Sequence, residues 1–247
     1  MRILVVLLFA LLPVPLLADC AQVAWDQTVI LKQINDGDTV TLENGRLVRF
    51  IGINTPEINY RYKSRSDPYA FDAKQLLQRY IKVGDKLHLV FDKTKKDKYG
   101  RLLAYVYSKS GRNLALLQLQ SGFATHWVIG QNDRFWQCFQ QAEQQSRARN
   151  SGIWSNFKPL SAANLTEADH GYQYIRGRIS DLKQDKRGIR FKLDKKLQVI
   201  IHAKQLQRFK ENGVNLLLNE QLLLSGKLTF RHGQAKLSLY HPAQILP

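Results

Sequence analysis

Between Asp36 and Glu57 the chain gathers oxygen donors, a guanidinium and a spare carboxylate, separated by strand-like sequence. The stretch opens with Asp36-Gly37-Asp38-Thr39 and closes with Arg49-Phe50-Ile51-Gly52-Ile53-Asn54-Thr55-Pro56-Glu57. Oxygen donors of this kind suit a hard divalent cation such as Ca²⁺ or Mg²⁺. A guanidinium suits a phosphate, because its planar fork donates two hydrogen bonds at once. A carboxylate not spent on the cation is free to take a proton from water. Those are the parts required to cleave a phosphodiester with water.

The elements that must hold these groups are short. Residues 28–33, 39–42 and 47–53 are β-branched or apolar, and polar turns at Asp36-Gly37 and Glu43-Asn44-Gly45 separate them. Asp67-Pro68 reads as a helix start, with Ala70, Ala73, Leu76, Leu77 and Ile81 as its apolar stripe. Strands are expected over 86–91 and 102–107, joined by the basic hairpin 93–101, and helices over 113–121 and 134–150. Five strands with helices inserted late predict a mainly β fold with helices (α+β), built on a five-stranded oligonucleotide-binding (OB) barrel. Residues 156–170 lack periodicity and read as a linker. From Gly171 on, strands at 172–180, 189–193, 197–201, 221–230 and 235–239, with a helix near 204–210, predict a second, smaller OB-like barrel. The expected division is thus 1–18, 19–155, 156–170 and 171–247.

Met1-Arg2 followed by an apolar run to Leu17 and the small residue Ala18 has the layout of a secretory signal peptide. The competing reading, a membrane anchor, meets a short core broken by Pro13 and Pro15. We therefore expect export, to the periplasm or the medium, with no membrane span after cleavage. In an oxidising compartment the even pair Cys20 and Cys138 predicts a disulfide. The net charge is +17, one less without the leader's Arg2, which points to a polyanionic partner. The six histidines are scattered without metal-ligand spacing.

Taken with Tyr99-Gly100-Arg101 and the ending Ser151-Gly152-Ile153-Trp154, the first segment resembles the staphylococcal nuclease (thermonuclease) family. The resemblance covers roughly residues 28–154. It implies Ca²⁺ as the first-choice metal, with Asp38, Asn54 and the Thr55 carbonyl as ligands, and Asp36 as a turn former. It also implies Arg49 and Arg101 on the scissile phosphate and Glu57 on the attacking water. DNA and RNA would be cut with little sequence specificity on the 5′-oxygen side, leaving 3′-phosphates. Asn54 departs from the family, which carries a carboxylate there. An amide oxygen still coordinates Ca²⁺ but brings no charge, so Mg²⁺ stays open.

Each motif alone has a plainer reading: Asp-Gly is a common hairpin turn, and Arg49 or Arg101 alone could be a solvated charge. The combination favours chemistry. Around it, Arg61, Lys63 and Arg65 alternate with Tyr60 and Tyr62, a pattern that can hold phosphates while stacking unpaired bases; Lys98 and Tyr99 are candidates of the same kind. Single strands are the preferred substrate on this reading. No small-molecule cofactor is expected and no oligomer is indicated. A basic first hairpin in the second barrel, from Arg176 to Lys192, favours a further nucleic-acid grip over a purely structural barrel. The alternative function is a non-catalytic nucleic-acid-binding protein that lost turnover through Asn54.

Overall fold

The computed structural model describes Cys20 and residues 24–247. The leader expected over 1–18 lies outside the described residues. The first part runs β1 (Gln27–Ile34), β2 (Thr39–Leu42), β3 (Leu47–Phe50), the two-residue β4 (Ile53–Asn54), α1 (Ala70–Tyr80), β5 (Lys86–Val90) and β6 (Leu102–Tyr107). It continues with α2 (Leu114–Gln120), the two-residue β7 (Thr125–His126) and α3 (Trp136–Ala148). β1-β2-β3-β6-β5 close into a barrel. All its ladders are antiparallel except the β3–β6 seam. Period-2 alternation sends Val29, Leu31, Val40, Leu42, Val48, Phe50, Leu87 and Leu89 inward, where all are buried. Each contributes about 1.5–3 kcal/mol when fully removed from water.

α1 buries the predicted face, Ala70, Ala73, Leu76 and Leu77, but begins at Ala70 behind a left-handed Tyr69 (φ 67°). Asp67 is not its cap. Its carboxylate accepts from the Glu57 amide at 2.9 Å, and its own amide donates to the Glu57 carbonyl at 3.0 Å. Those two bonds close the 57–67 loop at its base. α2 starts as predicted, with the Asn113 side chain accepting from the Leu116 amide at 3.0 Å. Cys20 and Cys138 are disulfide-bonded, with Cα atoms 5.7 Å apart, tying the segment before β1 to α3.

The second part comprises β8 (Leu160–Ser161), β9 (Gly171–Asp185), β10 (Gly188–Leu193), β11 (Leu197–His202), α4 (Leu206–Glu211), β12 (Gln221–Arg231), β13 (Gln234–Leu239) and β14 (Ile245–Leu246). β9 pairs with both β10 and β12, so β9-β10-β11-β13-β12 form a second closed ring whose parallel seam is β11–β13. The segment expected as a plain linker contributes β8, which adds a short parallel pair to β9. Each barrel has its own apolar cluster.

Between the barrels lies a joint of aromatic and polar contacts. Tyr174 packs edge-on to Trp154 and Phe157, with centroids at 5.5 and 5.2 Å. Gln140 of α3 donates to the carbonyls of Ala243 (3.3 Å) and Ile245 (3.0 Å). Among the described residues no helix is long and apolar enough to cross a membrane.

Candidate active site

The turn between β1 and β2 carries the first ligand candidate. Asp36 Oδ1 accepts from the Asp38 amide at 2.9 Å, a side-chain-closed turn of the type Asp favours. Gly37 is required by contact: a Cβ there would lie 2.6 Å from the Ala73 Cβ and 2.8 Å from Thr55 Cγ2. Gln118 of α2 fixes the turn from below, donating to the carbonyls of Gly37 (2.7 Å) and Ala73 (2.8 Å). Asp38 is thereby buried, 2 % exposed. A lone buried carboxylate would be costly, and this one is fully partnered. Its Oδ2 accepts from the Thr55 amide (2.8 Å) and hydroxyl (2.9 Å) and pairs with Arg49 Nη1 (2.9 Å); its Oδ1 accepts from the Thr39 hydroxyl (3.0 Å).

Arg49 projects from β3 and bridges the ligand candidates. Besides Asp38, its Nη2 donates to Asn54 Oδ1 at 3.0 Å. Asn54 is aimed by the small β4–β7 ladder, in which Ile53 pairs with His126 and Asn54 with Thr125. The bend into β4 turns on Gly52 (φ 84°), where an added Cβ would meet the Phe139 ring at 2.7 Å. Trp127 then donates its amide to the Gly52 carbonyl at 3.0 Å, bringing the 125–130 segment alongside.

Three carboxylates and two guanidinia share one electrostatic field. Asp36 is pushed up to about 6, by burial first and by the Asp38 charge second. Glu57, at the end of the same bend, is also raised, by partial burial and then by Asp38, while Arg49 and Arg101 pull it down. Arg101 is positioned by the hairpin motif itself. Asp97 accepts from the amides of Tyr99 (2.9 Å) and Arg101 (3.0 Å) through Oδ1, and from Arg101 Nε (2.6 Å) through Oδ2. Burial opposes ionisation of Asp97, but those hydrogen bonds prevail and hold its carboxyl below the usual range.

A cleft of about 630 Å³ collects the result. Arg49, Asn54, Glu57, Arg101, Lys98 and Tyr99 all line it. Asp38 and Thr55 sit behind Arg49, buried. Arg61, Lys63 and Arg65 lie on the neighbouring 57–67 loop, outside the cleft walls, with Arg61 and Arg65 flanking the Tyr62 ring at 5.2 and 4.9 Å. The opposite wall, with Trp127, Ile129 and Asn132, was not anticipated from sequence. Its one visible signal is an aromatic and two aliphatic residues beside a glycine, Trp127-Val128-Ile129-Gly130, in a segment without periodicity.

The donor set fits a hard cation by chemistry. Asp38, the Asn54 amide oxygen and the Thr55 carbonyl offer only oxygen, the donor type such a cation prefers. Among the described residues no three acidic, His or Cys side chains converge as a metal cluster. The Arg49 guanidinium takes up the oxygens of Asp38 and Asn54 instead.

A five-stranded barrel with this arginine, carboxylate and oxygen-donor cleft defines a phosphate-handling OB protein. Residues 47–156 match the family model "Staphylococcal nuclease homologue". The "Thermonuclease" of Staphylococcus hyicus is 30% identical over 135 residues, covering 53% of this chain and 78% of that protein. From Bacillus subtilis, "SPbeta prophage-derived endonuclease YokF" is 37% identical over 132 residues (51% of this chain, 44% of that protein). "Endonuclease YncB" from the same organism is 36% identical over 132 residues (51% and 61%). The chain belongs to the staphylococcal nuclease family. It spans less than two thirds of either Bacillus protein, and the family match ends at Asn156, before the second barrel.

Proposed function

We propose that this chain is an exported, metal-dependent nuclease that hydrolyses phosphodiesters of DNA and RNA with little sequence specificity, acting by preference on single strands. The observation that carries the reading is the cleft itself: Arg49, Glu57 and Arg101 face one space, although they come from β3, the bend after β4 and the 93–101 hairpin. A binding surface for polyanions has no use for a carboxylate held among guanidinia.

In this reading Arg49 and Arg101 grip the non-bridging oxygens and stabilise the charge that builds up at phosphorus. Glu57, with a proton affinity raised by its surroundings, aims a water in line and takes its proton. Bound Ca²⁺, or Mg²⁺, held by Asp38, Asn54 and Thr55, would add Lewis-acid charge on the same phosphate. Asp97 keeps Arg101 pointed into the cleft. Hydrolysis on the 5′-oxygen side leaves 3′-phosphate ends, and the leader sends the protein to the periplasm or the medium.

One observation favours a second reading. Arg49 already satisfies Asn54, so a protein that binds nucleic acid without cutting it is the alternative. End-labelled single-stranded DNA, incubated with Ca²⁺, Mg²⁺ or chelator, separates the two. We expect divalent-dependent cutting to 3′-phosphates, with Glu57→Gln slower by about 10²–10⁴-fold. Tight binding with no cutting in any metal would leave only the binder.

A further inference from the structure

The cleft does not end at the first barrel. Trp127, Ile129 and Gly130 line it and also line an adjoining groove of about 430 Å³, whose far wall is the second barrel. That wall is the outer face of β12 and β13. Leu228, Leu237 and Leu239 point inward and are buried, so alternation turns Lys227, Thr229, Lys236 and Ser238 outward, and Tyr240, just past the end of β13, is exposed. Thr229 pairs directly with Lys236 across the ladder.

The groove has the two components that single strands require. Its stacking surfaces are Tyr240, 56% exposed, and the Trp127–Tyr172 pair with centroids at 5.5 Å, with the exposed Ile129 as an apolar neighbour. Tyr172 is fixed by donating its hydroxyl to Ser225 Oγ at 3.2 Å. Lys227 lines the groove and Lys236 lies beside it, opposite Thr229 on the same outer face, and neither has an ion-pair partner among the described residues. The basic first hairpin of this barrel is more committed, since Arg187 and Arg190 both pair with Asp185 and Arg178 donates to the Asn219 carbonyl.

We propose that a single-stranded nucleic acid seated at Arg49, Glu57 and Arg101 continues past Trp127 onto the second barrel, stacking a base on Tyr240 and setting phosphates against Lys227 and Lys236. Aromatic platforms alternating with cations along a continuous track are the general recipe for sequence-tolerant single-strand binding. The proposal rests on the nuclease reading of the cleft and assigns the second barrel a role in holding the flanking strand.

The test compares fluorescent oligothymidylates of about 4 and about 16 nucleotides, titrated into the full chain with chelator present so that binding is read apart from cleavage. The wild type should bind the long probe more tightly. The triple variant Lys227→Ala/Lys236→Ala/Tyr240→Ala should weaken the long probe by about tenfold or more and leave the short one within about twofold. Its salt slope for the long probe should fall by about 0.7 per lysine removed. The single exposed change Lys227→Glu should give a smaller loss of the same kind, independent of any packing effect at Tyr240. Equal loss for both probes, no loss for either, or a wild type indifferent to length would overturn the proposal. Length-dependent binding abolished by the triple variant, in a protein that never cuts, would sink the nuclease reading and leave the groove standing.

Discussion

The two barrels share one topology and differ in what they bury. Each has three antiparallel hairpin steps, a parallel seam (β3–β6, β11–β13) and a closing antiparallel ladder (β5–β1, β12–β9). Each inserts a helix between the third and fourth strands of its ring in chain order, β3 and β5 in the first, β11 and β12 in the second. In the first barrel that connection is residues 51–69, which carry Asn54, Thr55 and Glu57 and fold back as β4. In the second it is the single short turn Ala203–Gln205 before α4. Buried polar side chains follow the same division: Asp38, Thr39, Thr55, Gln118, His126 and Glu143 lie with the first barrel, but only Ser225 and His241 with the second. Along the second seam the pairs are Gln198–Lys236, Val199–Leu237, Ile200–Ser238 and Ile201–Leu239, with no carboxylate. On the nuclease reading proposed above, the barrel is a scaffold in both, and the chemistry would come with the long connection and the buried acid that faces it.

The largest expected effect breaks the two barrels apart energetically. The disulfide closes a loop of 118 residues that holds only first-barrel elements. In the chain-entropy picture it contributes at most about 5 kcal/mol. The variant Cys20→Ser/Cys138→Ser, followed by hydrogen exchange, should lose protection in β1–β6 and keep most of it in β9–β13. Uniform loss across both would mean that the joint makes them one cooperative unit.

That joint is the next place to press. Glu143 of α3 is buried there, accepting from the His126 amide (2.9 Å) and the Tyr174 hydroxyl (3.3 Å), with Arg147 at 3.7 Å. Burial raises its carboxyl to about 7. A folded-state value above the ordinary 4.5 means the folded protein prefers the protonated form. The associated stability is therefore full below about pH 4.5 and is lost as pH climbs through 7, on the order of 3 kcal/mol. The His126 ring behaves oppositely: burial lowers it to about 3, so its contribution is present above pH 6.5 and is lost on acidification. Denaturant melts of wild type and Glu143→Gln across this range isolate the first effect. The stability difference between them should fall by about 3 kcal/mol from pH 4.5 to 7; a constant difference would show that Glu143 stays ionised.

The same contrast explains what the sequence disclosed. Strand positions in both barrels were legible because alternation is local: β2 is found as expected, and β5, β6 and β10–β13 lie within one or two residues of expectation. β4 and β7 were not, since two residues carry no period and their pairing joins segments about 70 apart. β9 runs past Ser180 to Asp185 because hairpin pairing with β10 sustains a polar strand. In the site, Arg49, Glu57, Lys98, Tyr99 and Arg101 could be named from motif order. Arg61, Lys63 and Arg65 stand outside the cleft on a loop that Asp67 closes at its base, whereas the local sequence Asp67-Pro68 signals only a helix start. Trp127 required the tertiary approach of its segment to Gly52.

The smallest expected effect sharpens the comparison at its centre. Asn54→Asp would restore a carboxylate beside Asp38, adding one negative charge to the donor set and so favouring a divalent cation, by about tenfold in the concentration needed for half-maximal cutting. The same charge would also tighten the bond that Arg49 Nη2 now makes to position 54 at 3.0 Å, since a carboxylate is the stronger acceptor. The two effects oppose each other, and the metal titration reads their balance. A leftward shift in the Ca²⁺ dependence of single-strand cleavage means that a cation displaces Arg49 from Asp38 and frees it for phosphate. An unchanged or rightward-shifted curve with lower maximal rate means that Arg49 keeps both oxygens, and that the neutral asparagine is what leaves this arginine able to leave them.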